Sequence, residues 1–152
     1  MTSPIEEFWS QERFAVVGAS RRRDKFGNSL FREMKKRGMS VVAVNRHADT
    51  LEGERSFENL KKIPGKVDAA IIVVPPKETD IVLRQCADCG ISHVWIQQGA
   101  ESDRSRELAN ELGLTAVFDE CALMFMEPVT FPHSVHHWIH TRFGKHHRVP
   151  VE

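Results

Sequence analysis

Residues 14–46, FAVVGASRRRDKFGNSLFREMKKRGMSVVAVNR, open like a nucleotide-binding turn: an apolar run, a small-residue loop, then a helical pattern. In such a turn the backbone N–H groups and the helix N-terminus face an anion. Gly18 lets the chain turn, Ala19 keeps the loop small, and Ser20 offers a hydroxyl. Gly27 permits close approach where the helix begins, with Asn28 as its expected cap and Ser29 beside it. Arg21, Arg22, Arg23 and Lys25 add positive charge. The loop has only two of the glycines of a G-x-G-x-x-G dinucleotide fingerprint. A solvated basic loop would explain the charges alone. A ligand bearing a pyrophosphate explains the charges and the small-residue turn together.

The end of the second apolar run discriminates among such ligands. NAD sites place an acid there for the adenosine ribose hydroxyls. This chain has Asn45-Arg46 and no acid before Asp49. A guanidinium attracts a ribose phosphate where a carboxylate repels it. NADP and coenzyme A both carry that phosphate, and an ordinary exposed arginine competes with either reading. Three more chain segments reach the same rim: Val74-Pro75-Pro76, Gln97-Gln98, and Asp119-Glu120-Cys121. Cys121 there is a small buried residue or a thiol within reach of a ligand's sulfur. No Ser-His-Asp order or P-loop is visible, and Asp119-Glu120 is a single adjacent pair, so no catalytic residue is assigned.

The remaining reactive side chains read as structural. Cys86 and Cys89 form a C-x-x-C in the last turn of a helical pattern, whereas redox pairs sit at helix N-termini, where the dipole lowers the thiol pKa. With His93 they supply at most three of the four ligands a structural zinc needs. Six of the eight histidines lie in 133–147, interleaved with Val135, Trp138, Ile139 and Phe143. Such a pattern is an amphipathic helix with a His-rich polar face, and a metal there is the lesser alternative.

Alternating elements must position these groups. Strands are expected at 14–17, 41–44, 67–74, 93–96 and 115–118, with helices at 5–10, 28–37, 78–89 and 103–112 between them. Residues 48–64 read as irregular, with a turn at Glu52-Gly53 and one helical turn over 57–60. This pattern predicts an α/β fold: a Rossmann-like, doubly wound parallel sheet of about five strands in the order 3-2-1-4-5, a flavodoxin-like order being the other possibility. A single domain is expected over 1–152, with a leading helix in 1–12 and a His-rich helical extension, 122–152, packed on the body. The chain is 41% hydrophobic and 28% charged, with net charge zero, which argues against a nucleic-acid binder. No apolar run nears the roughly 20 residues of a membrane span. The acidic start is unlike a signal peptide, and three cysteines then read as reduced thiols in a cytoplasmic protein.

In order and spacing, VVGAS…FGNS (16–29), VVAVN (41–45), LEGERSFENLKKIPGKVDAAIIVVPP (51–76), HVWIQQGA (93–100) and FDEC (118–121) resemble the small CoA-binding-domain proteins. That family is similar to the N-terminal CoA-binding domain of the succinyl-CoA synthetase alpha subunit. The resemblance implies contacts to coenzyme A from Gly18, Ala19, Ser20, Asn28, Asn45, Arg46, Val74, Pro75, Pro76, Gln97 and Gln98. Arg22, Lys25, Ser29 and Cys121 complete the expected ligand-binding set. Many relatives have Pro where this chain has Arg46, and many small ones have Phe-Arg where it has Val74-Pro75-Pro76. The synthetases also need a phosphorylated histidine in a second domain and a beta subunit, so ligase activity is not expected to transfer. The expectation is a protein that binds CoA or an acyl-CoA to sense or carry it, with a homodimer possible. An NADP-dependent oxidoreductase and an interaction module without ligand are the alternatives.

Overall fold

The computed structural model describes residues 3–20, 22 and 25–125. It has α1 (Pro4–Trp9), β1 (Arg13–Val17), α2 (Phe26–Lys36), β2 (Ser40–Val44), β3 (Thr50–Leu51), β4 (Glu54–Phe57) and a 3-10 turn (Leu60–Lys62). Then come β5 (Ala69–Ile72), α3 (Pro76–Asp88), β6 (His93–Ile96), α4 (Asp103–Glu111), β7 (Thr115–Val117) and α5 (Ala122–Phe125). The strands form one sheet in the order β3-β4-β2-β1-β5-β6-β7. All neighbours are parallel except the β3–β4 hairpin.

The α/β class and the Rossmann-like order hold, with two corrections. Counting the six parallel strands along the chain, the order is 3-2-1-4-5-6, and third place belongs to β4. That strand lies in the stretch expected to be irregular. Only Ser56 and Phe57 of its four residues are buried, so it lacks the apolar alternation that marks a strand. The expected third strand is β5, which pairs with β1 and not at the edge beyond β2. The reason is burial: all four of its residues are inaccessible, a state only a central strand provides. It is also shorter than expected, at both ends: Val67, Asp68, Val73 and Val74 lie outside it. The turn at Glu52-Gly53 is the hairpin turn, and the helical turn falls at 60–62 instead of 57–60.

Helices cover both faces. Alternate residues of β1 point to opposite sides, as strand geometry requires. Phe14 and Val16 join Phe8, Trp9, Leu30, Phe31 and Trp95 under α1 and α2. Ala15 and Val17 join Val82, Leu83, Ile96 and Leu108 under α3 and α4. Ser3 and Ser102 close capping boxes on α1 and α4. Helix α2 starts at Phe26, earlier than expected, with Lys25 at its cap position. A lysine has no acceptor for first-turn N–H groups. Among the described residues, no helix is long and apolar enough to cross a membrane.

Candidate functional site

A cleft of about 390 Å³ opens at the carboxyl ends of the strands, where the loop after β1, the end of β2 and the link from β5 to α3 converge. It lies beside the β1–β5 junction, where the strand order reverses and open α/β sheets bind ligands. Its volume falls in the range of about 300–1,000 Å³ usual for small-molecule sites.

The first loop makes one wall. Gly18 has φ +116, and a Cβ there would stand 2.3 Å from the Val73 carbonyl oxygen, so the loop and the end of β5 touch backbone to backbone. Gly27 plays the matching part in α2: a Cβ would lie 3.2 Å from Gly18 O and 3.3 Å from Ala19 N. The helix N-terminus is thereby pressed against the loop. Two buried or half-buried amides hold the loop in place. Asn45 Nδ2 donates to Ala19 O at 2.6 Å, and its Oδ1 accepts from His47 N–H at 2.7 Å. Asn28 Oδ1 accepts from Ser20 N–H at 2.7 Å while its Nδ2 donates to Ser20 O at 2.5 Å. Asn28 therefore lies inside α2 as a clasp on the loop and does not cap the helix. Ser20 Oγ accepts from Arg22 N–H at 3.1 Å.

Arg46 lies across the cleft, its side chain largely exposed, with Nη2 3.6 Å from Glu78 Oε1. Val74 and Pro75 continue the wall into α3, which adds Glu78, Ile81, Val82 and Gln85. These recur at helical spacing, a single face that the sequence displayed but that went unassigned because it carries no recognised motif. Thr79 Oγ1, fully buried, donates to Ala100 O at 2.6 Å and fixes the first turn of that helix. Ile81 is the one large hydrophobic side chain strongly exposed among the described residues, and it faces this cleft. His47, Glu58 and Asn59 also line it and were likewise not anticipated.

The cleft thus gathers Gly18, Ala19, Ser20, Asn45, Arg46, Val74 and Pro75 of the expected set. Pro76 begins α3, Lys25 and Arg22 are exposed beside the loop, and Ser29 Oγ accepts from Arg32 at 3.3 Å. Gln97, Gln98 and Cys121 do not line it. Gln97 is buried and its Oε1 accepts from Ala122 N–H at 3.1 Å, which ties the end of β6 to α5. Gln98 Nε2 donates to Asp119 O at 3.4 Å. Asp119 is held by both carboxylate oxygens against Arg106, at 2.7 and 2.8 Å. Cys121 is buried. In the C-x-x-C, Cys89 is exposed at the end of α3, whereas burial, with a smaller contribution from Cys89, pushes the Cys86 thiol up to about 12. The histidines of 133–147 and the expected extension beyond Phe125 lie outside the described residues.

Comparison with known proteins gives this geometry a family. The model of the CoA binding domain matches residues 12–127. The alpha subunit of acetate–CoA ligase (ADP-forming) II from Pyrococcus furiosus is 31% identical over 128 residues. That match takes in 77% of this chain but 28% of the subunit. The uncharacterized protein YneT of Bacillus subtilis is 26% identical over 110 residues, 72% of this chain and 82% of that one. Among solved structures, a conserved hypothetical protein from Pyrococcus furiosus superposes with a TM-score of 0.70 at 31% identity, covering 74% of this chain and 97% of its own. A turn of small residues pressed on a helix N-terminus, a guanidinium at the end of β2 and a family model spanning the whole described sheet agree: the chain belongs to the CoA binding domain family.

Proposed function

We propose that the protein binds coenzyme A, or an acyl-CoA, in the cleft at the end of β1 and β2, and that it holds or senses this ligand without transforming it. The observation that carries the reading is the pairing of two features in one cleft: the small loop at the α2 N-terminus, whose cap position is a lysine, and Arg46 where NAD sites carry an acid. The residues present fit the group. Ser20 and the first turn of α2 would receive the diphosphate, with Lys25 adding charge. Arg46 would receive the ribose phosphate. Val74, Pro75 and Ile81 offer apolar surface to the remainder. When bound, the ligand supplies a thiol or thioester. The chain's own part is to orient and retain it.

Native mass spectrometry of freshly purified protein should show a retained mass of CoA or an acyl-CoA. Added CoA should raise the melting temperature more than NADPH does, because a ligand that binds only the folded state stabilises it by mass action. Equal or greater stabilisation by NADPH would overturn the reading in favour of an oxidoreductase.

A further inference from the structure

Glu52 stands at the tip of the β3–β4 hairpin, outside the cleft. Its φ is +52, and that of Gly53 is +77. Positive φ at both central residues of a two-residue loop is the type I′ arrangement, which favours Asn, Asp or Gly at the first position. Glutamate suits that position poorly, so the turn itself does not account for it. Its side chain does. The side chain is 6% exposed, and one carboxylate oxygen, Oε2, accepts from Arg32 Nη1 and from Asn28 Nδ2, both at 2.9 Å. Asn28 is the residue that clasps Ser20 by both its backbone N–H and its carbonyl. An amide can sit in either of two flipped orientations. The wrong one would turn the Asn28 NH₂ toward the Ser20 N–H. The Glu52 carboxylate accepts only, so it stabilises the orientation that keeps Oδ1 on Ser20 N–H.

We propose that Glu52 is a positioning residue for the ligand loop: through Asn28 it holds Ser20 in its binding geometry, and so makes the edge hairpin part of the site. The proposal rests on the CoA reading for its consequence, though not for its first effect, which belongs to the unliganded protein.

Glu52→Gly separates positioning from folding. Glycine prefers the backbone that Glu52 adopts, and Arg32, already about a third exposed, can return to water. The melting temperature should stay within a few degrees of wild type. If it does not, Glu52→Asn, which also tolerates the left-handed turn but is too short for the contact, takes its place. In the unliganded variant the Ser20 amide should exchange its proton faster, and the Asn28 side-chain amide resonances should shift. CoA should bind about tenfold more weakly, as expected for a lost charge-assisted bond. Glu52→Gln, which keeps one acceptor oxygen, should restore part of that affinity. Unchanged Ser20 exchange and Asn28 resonances would overturn the proposal whether or not CoA binds. Wild-type CoA affinity in Glu52→Gly would overturn it as well. If wild type itself binds no CoA, the ligand reading fails, and the two amide measurements still decide the role of Glu52.

Discussion

At the scale of single residues, the cleft sets Arg46 against Glu78. Arg46 and Glu78 are 3.6 Å apart and solvent reaches both, so the pair is worth at most about 1 kcal/mol. A ligand phosphate can therefore displace Glu78 from Arg46 at little cost. Reversing the charge at this position should be felt mainly by the phosphate on the ribose. Arg46→Glu is expected to weaken CoA by tenfold or more, about 1.4 kcal/mol or above, and dephospho-CoA far less, measured by titration calorimetry. Equal losses for the two ligands would mean that Arg46 acts through the general field. Arg46 was legible in the sequence because an acid is expected where it stands. Glu78 was not, because a glutamate in the first turn of a helix is ordinary and only the fold carries it to Arg46.

At the scale of elements, the junction of β1, β5 and α2 depends on two glycines. Gly18→Ala would place a methyl group 2.3 Å from the Val73 carbonyl oxygen at φ +116. The loop or the β5–α3 link must then move, with an expected loss of about 2 kcal/mol or more. Gly53 is the control: φ is +77 but nothing lies within 4 Å of a Cβ, so Gly53→Ala meets only backbone strain, about 1 kcal/mol. Urea denaturation of both variants measures the difference, and equal losses would show that the close approach at Val73 contributes nothing. The apolar runs of β1, β2, β5 and β6 announced themselves, as did the Ser102 cap of α4. Strand β4 did not. Its ERSF sequence is strand only because β2 offers it an edge and β3 folds back on it.

At the scale of the whole molecule, the two core layers share one sheet, and a change buried in either is read out as global stability. Cys86 lies on the buried face of α3, with its thiol pushed from 9.0 up to about 12 by burial and, less, by Cys89. The folded state keeps a proton that the unfolded chain releases above pH 9. The associated stability is whole below pH 9 and is lost as the pH climbs toward about 12, at a slope of up to about 1.4 kcal/mol per pH unit. Cys86→Ala should therefore show a shallower alkaline decline in unfolding free energy than wild type. An identical decline would place the effect elsewhere. Of the C-x-x-C, Cys86 sits in the core and Cys89 is exposed; the motif reads as structural from the sequence because it falls in the last turn of a helix. By itself the sequence determined the alternation of strands and helices, the small-residue turn after β1 and the missing acid after β2, because these depend on local periodicity and on residue types at fixed spacing. Tertiary structure decided that β5 lies beside β1, that β4 completes the sheet, that Gln97 turns to the start of α5 and not to the cleft, and that Glu52 reaches Asn28 from 24 residues away. Those outcomes turn on which buried surfaces and polar groups find partners, and contacts between distant segments leave no periodic trace along the chain.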